Sequence, residues 1–86
     1  MPEDQKQILS DLIQKQMLVL GPNIALDTAR KVAGLEVGDN GGVVEILGDF
    51  TLVLKSLVHE YEALSEEVAR QTLEWLAKKY PGTKVL

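Results

Sequence analysis

The stretch Asp49–Tyr80 contains neither Gly nor Pro. It is built mostly from Leu, Val, Ala, Glu, Lys and Gln, which lose little on entering a helix. Leu54, Leu57, Tyr61, Leu64 and Val68 recur at spacings of three and four, so they form one apolar stripe. A single helix over this stretch would be roughly 46 Å long at 1.5 Å per residue, against about 30 Å for a small domain. Such a helix overhangs its own domain and needs a partner chain. The alternative is two helices with a break that no Gly or Pro marks.

The preceding residues favour the second reading. Residues 3–20 read as an amphipathic helix with Ile8, Leu9, Leu12, Ile13, Met17 and Leu20 on its buried face. Its last turn, Met17-Leu18-Val19-Leu20, is apolar on every side. That end requires a cover, from other elements of the chain or from a partner. Gly21-Pro22 stops the helix, and Pro suits the first position of a new one. A second helix is expected from about Pro22 to Ala33, with a stripe of Ala25, Ala29 and Ala33 and Gly34 as its cap.

The segment 35–47 has a different period. Leu35-Glu36-Val37 and Val43-Val44-Glu45-Ile46-Leu47 flank Gly38-Asp39-Asn40-Gly41-Gly42, which reads as a β-hairpin. A type I′ turn at Asn40-Gly41 pairs Val37 with Val44 and Leu35 with Ile46, and sets Glu36 opposite Glu45. Asp49 is placed to cap the next helix. Thr83-Lys84-Val85-Leu86 either adds a strand at the hairpin edge or frays.

At an offset of 44 the two helical regions match. Ala25, Thr28, Val32 and Ala33 fall on Ala69, Thr72, Leu76 and Ala77, and Ile13 and Met17 fall on Leu57 and Tyr61. An internal repeat forecasts a break at Leu64-Ser65, with Ser65 as N-cap and Glu66 and Glu67 in the first turn. The expected fold class is therefore mainly α, a four-helix arrangement from two helical hairpins with a small β-hairpin inserted at about 35–47. The 86 residues are expected to form one domain: a first helical unit at 3–34, the hairpin at 35–47 and a second helical unit at 49–80.

The chemistry-bearing residues are sparse. There is no Cys, which removes disulfides, thiolate metal sites and a Cys nucleophile, and suits a reducing compartment. His59 is the sole histidine, so His-Glu-x-x-His is impossible. It reads as a solvated helix residue. Glu60, Glu62, Glu66 and Glu67 read as a solvated acidic face, since acid–base work needs a cleft and a shifted pKa. Gly38–Gly42 fits neither phosphate-binding fingerprint. Gly48-Asp49-Phe50 lacks the serine that acyl carrier proteins place after the aspartate. No catalytic residue, metal site or cofactor is expected, and the chain reads as a non-enzyme.

Net charge is −4 and no more than two basic residues adjoin, which argues against nucleic acid and against an anionic membrane. The opening Met1-Pro2-Glu3-Asp4 resembles neither a signal nor a transit peptide, and the expected location is cytoplasmic. The surplus apolar residues point to protein contacts. Trp75, Leu18, Leu26 and Val58 are the candidate interface residues, with Trp75 either packed under the hairpin or at an interface. The expected function is a small non-enzymatic interaction or regulatory module, as a homodimer or with another protein. The alternative is a small-ligand domain with an apolar pocket between the helical hairpins.

Overall fold

The computed structural model describes residues 3–81. In chain order these form α1 (Glu3–Leu20), α2 (Pro22–Ala29), β1 (Leu35–Val37), β2 (Val43–Ile46), α3 (Phe50–Leu64) and α4 (Glu66–Lys79). The strand possibility at residues 83–86 lies outside the described residues.

The long Gly- and Pro-free stretch is two helices. Ser65 takes an extended backbone (φ −163°, ψ 108°) between α3 and α4, and its Oγ accepts from Val68 N at 3.3 Å. Glu66 and Glu67 occupy the first turn of α4 and Lys78 and Lys79 the last, both favourable to the helix dipole. The longest dimension of the molecule is 30 Å, so no helix overhangs. The other break uses backbone freedom in place of a side-chain cap. Gly21 sits at φ +92° with Pro22 at the start of α2.

The helix begun at Pro22 ends at Ala29, four residues earlier than its periodicity suggests. Lys31 N and Val32 N donate to Thr28 O and Ala29 O, bonds of the tighter i→i−3 kind. That tightened turn keeps Val32 in the core, and Gly34 at φ +82° then redirects the chain into β1.

The hairpin keeps two of its three expected pairs. Leu35 pairs with Ile46 and Glu36 with Glu45, but Val37 pairs with Val43 and not Val44, because a bulge intervenes. Asn40 does not adopt the positive φ that a type I′ turn demands. Gly41 N instead donates to Gly38 O at 3.0 Å, Gly38 N donates to Gly42 O at 2.9 Å, and Gly41 takes φ +83°. This is the three-residue loop with a glycine bulge. The shift turns Val43 toward the core and leaves Val44 exposed.

The hairpin lies along α1. Val43 N donates to Ser10 Oγ at 2.8 Å, Gln14 Nε2 donates to Asn40 O at 3.2 Å, and Lys6 Nζ stands 3.6 Å from Glu45. That lysine offsets the like-charge Glu36–Glu45 pair. Glycine suits the tip because Gly41 takes φ +83°, and a Cβ there would also displace the Met17 side chain, whose Sδ would lie 2.5 Å away. One core cluster joins all four helices and β1, from Leu9 and Ile13 through Ala25, Ala29 and Leu35 to Leu57, Tyr61, Leu73 and Leu76.

Candidate functional site

Helix α4 runs along α1 in the opposite sense. Gln16 Nε2 donates to Thr72 Oγ1 at 2.6 Å, while Asp11, earlier in α1, pairs with Lys79 Nζ, later in α4, at 2.9 Å. This sense brings the end of α1 and the start of α4 together. The breaks at Gly21 and Ser65 therefore lie toward the same end of the molecule.

That end carries large apolar side chains in solvent. Leu18 is 84% exposed, Val19 51%, Ile24 53% and Leu64 50%. They come from the last turn of α1, the first turn of α2 and the last residue of α3. The all-round apolar turn Met17–Leu20 is thus not enclosed by the described residues. Met17 and Leu20 pack against the core, but Leu18 and Val19 do not. Other exposed apolar residues, Val44, Leu47 and Leu52, belong to the hairpin and the start of α3.

Two surface grooves are lined by residues on both sides of the α3–α4 break. One, of about 360 Å³, is lined by Glu62, Glu66, Glu67, Arg70 and Leu73. The other, of about 340 Å³, is lined by His59, Glu62, Ala63 and Glu66. Among the described residues, Glu60, Glu62, Glu66 and Glu67 form no ion pair, whereas Glu45, Asp39 and Asp11 each have a Lys or Arg within 4.0 Å. Glu62, Glu66 and Glu67 lie within three residues of the exposed Leu64 in the sequence. His59 is exposed. No group of three or more potential metal-ligating residues converges among the described residues.

The four residues singled out by sequence do not share one surface. Leu18 is the most exposed large apolar residue described. Leu26 is a correction: it is 8% exposed and belongs to the core, because α2 is short and packs against both α1 and α3. Val58 is half-buried against the core. Trp75 is not placed beneath the hairpin, which rests on α1. It packs at the seam of α1 and α4, where Lys15 Nζ and Lys79 Nζ each lie 5.2 Å from its ring centroid. Both ammoniums are within cation–π range.

The same seam holds Asp11, only 6% exposed. Gln7 Nε2 donates to it at 2.8 Å, and the Tyr80 hydroxyl also donates to it. Burial by itself pushes its carboxyl up; the hydrogen bonds from Tyr80, Lys79 and Gln7 and the Lys79 charge outweigh this and hold it below the usual carboxylate range. The cluster ties the end of α4 to α1. Deeper in, the Tyr61 hydroxyl donates to Ala25 O at 2.8 Å, and burial raises its pKa. Gln16 is fully buried, and its Oε1 has no hydrogen-bond partner among the described residues.

Sequence reasoning missed Val19, Ile24 and Leu64 as surface residues. The signal for Val19 was present in the run Met17–Leu20. Leu64 was concealed by its place in the α3 stripe, and Ile24 by its place beside the alanine stripe of α2. No described helix is long and apolar enough to cross a membrane. Comparisons with protein-family models, curated proteins and solved structures found no match.

Proposed function

We propose that this chain is a non-enzymatic protein-interaction module whose docking surface is the end bearing Leu18, Val19, Ile24 and Leu64. The observation that carries this reading is the uncovered last turn of α1. A turn apolar on every side needs a cover, and the described residues leave Leu18 and Val19 exposed. Large apolar side chains gathered in solvent are the usual mark of a protein contact. The titratable groups with shifted pKa values serve packing: Asp11 latches α4 and Tyr61 spans the core.

The test is site-specific photo-crosslinking in the native cell, with sedimentation of the purified chain beside it. A photoreactive amino acid at position 18 or 64 is expected to join a second polypeptide, either another copy or a different protein. The same group at position 47 or 52 is expected to give little. Equal yields at all four positions, or none at 18 and 64, would overturn the assignment of this end.

A further inference from the structure

We propose that the partner at this end is a basic amphipathic helix of another protein, not a second copy of this chain. The inference rests on the docking reading above and adds the partner's chemistry. Charge complementarity selects it. Leu64 is flanked in sequence by Glu62, Glu66 and Glu67, and these line the groove floored by Leu73. Ala63 lines the second groove with His59, Glu62 and Glu66. Arg70 is the one permanently cationic residue lining either groove.

An amphipathic helix fits this layout. Apolar anchors three and four residues apart meet Leu64, Ala63 and Leu73, while lysines on its flanks meet the unpaired carboxylates. A second copy fits poorly. The chain carries net charge −4, and a twofold contact through this end would set the same glutamates against themselves.

The probe is a fluorescein-labelled peptide of about 18 residues with leucine on one helical face and lysine elsewhere, roughly 27 Å long as a helix. Its counterpart carries glutamate for every lysine. Fluorescence anisotropy with the intact chain is expected to show binding of the lysine peptide, weakened by salt, and none of the glutamate peptide. Leu64→Ser, and separately Glu62→Gln with Glu66→Gln and Glu67→Gln, are each expected to weaken binding by roughly tenfold or more. Leu47→Ser, and Glu36→Gln with Glu45→Gln and Glu74→Gln, remove the same kinds of group elsewhere and are expected to leave it unchanged. Circular dichroism confirms that each variant is folded.

Equal weakening by the two triple variants would overturn the proposal, because bulk charge would then account for the binding. No binding of the lysine peptide would overturn it as well. If crosslinking from positions 18 and 64 joins two copies of the chain, the docking end stands and the basic partner falls.

Discussion

Ile13 of α1 and Leu57 of α3 are 44 residues apart, and both are fully buried. One and a half turns earlier the correspondence fails. Ile8 is 3% exposed, whereas its counterpart Leu52 is 65% exposed. Leu12 is buried and its counterpart Ser56 is exposed. Both helices present their stripe to the shared core, but α1 is covered on further sides. The β-hairpin rests against Lys6, Ser10 and Gln14, and the end of α4 against Asp11 and Lys15. Helix α3 packs chiefly on α2 and α4. The polar links across the core are unmatched too: Gln16 reaches Thr72 from α1, while Tyr61 reaches Ala25 O from α3. Two similar stripes thus bury different amounts of side chain according to what the insertion and the C-terminal helix end lie upon.

The largest effects test the shared part of that comparison. Ile13→Ala and Leu57→Ala are each expected to cost about 2–5 kcal/mol in urea unfolding, the range for emptying a packed aliphatic site. Ile8→Ala is expected to fall in the same range and Leu52→Ala within about 0.5 kcal/mol. Similar costs for the last two would show that the two stripes are covered to the same extent at these positions.

Next comes the latch that only α1 possesses. Asp11→Ala removes the carboxylate that binds Gln7, Lys79 and Tyr80, at a cost of about 1–3 kcal/mol. The carboxyl's lowered pKa fixes the direction with pH. Its stabilisation is fully present above the unfolded value of about 3.9 and is lost as pH falls through the lower folded value. Acid titration of thermal melts should show this loss in the parent chain and not in Asp11→Asn. An identical acid slope in both would remove the latch.

The smallest effects compare the two breaks. Ser65→Ala is expected to cost about 1 kcal/mol through the lost N-cap. Gly21→Ala is expected to cost a similar ~1 kcal/mol or more for a different reason. No atom lies within 4 Å of the added Cβ, but φ +92° is a backbone that alanine resists. Replacing Ser65 by Asp should restore stability, whereas no L-residue at Gly21 should. If Gly21→Ala proves neutral, the positive φ at the first break is not required.

Much of the fold was legible from local chemistry. The bounds of α1, the caps at Asp49 and Ser65, and the Leu35–Ile46 and Glu36–Glu45 pairs follow from periodicity, capping and turn residues. The break at Ser65 was legible only through its match to Gly21, since Ser followed by two glutamates is an N-terminal signal with no helix breaker before it. The end of α2 and the hairpin turn were not legible. Each is set beside a neighbour: the core holds Val32, and Gly41 packs close against Met17 and Gln14 of α1. Of the candidate residues, Leu18 stands out from sequence because its whole turn is apolar. Leu26 and Trp75 lie on faces that look polar by period and acquire neighbours only on packing.

The sequence by itself determined four helices, a hairpin and a surplus of apolar residues, because period, caps and turns act within a few residues. Tertiary structure alone decided which surplus stayed uncovered. Gln16 beside Thr72 and Asp11 beside Lys79 set α4 antiparallel to α1, and that sense brings Gly21 and Ser65 to one end. Leu18, Val19, Ile24 and Leu64 lie at that end, beside carboxylates that no lysine or arginine of the described chain neutralises. Spacing along a chain cannot report this, since burial and charge pairing depend on contacts between residues more than forty positions apart.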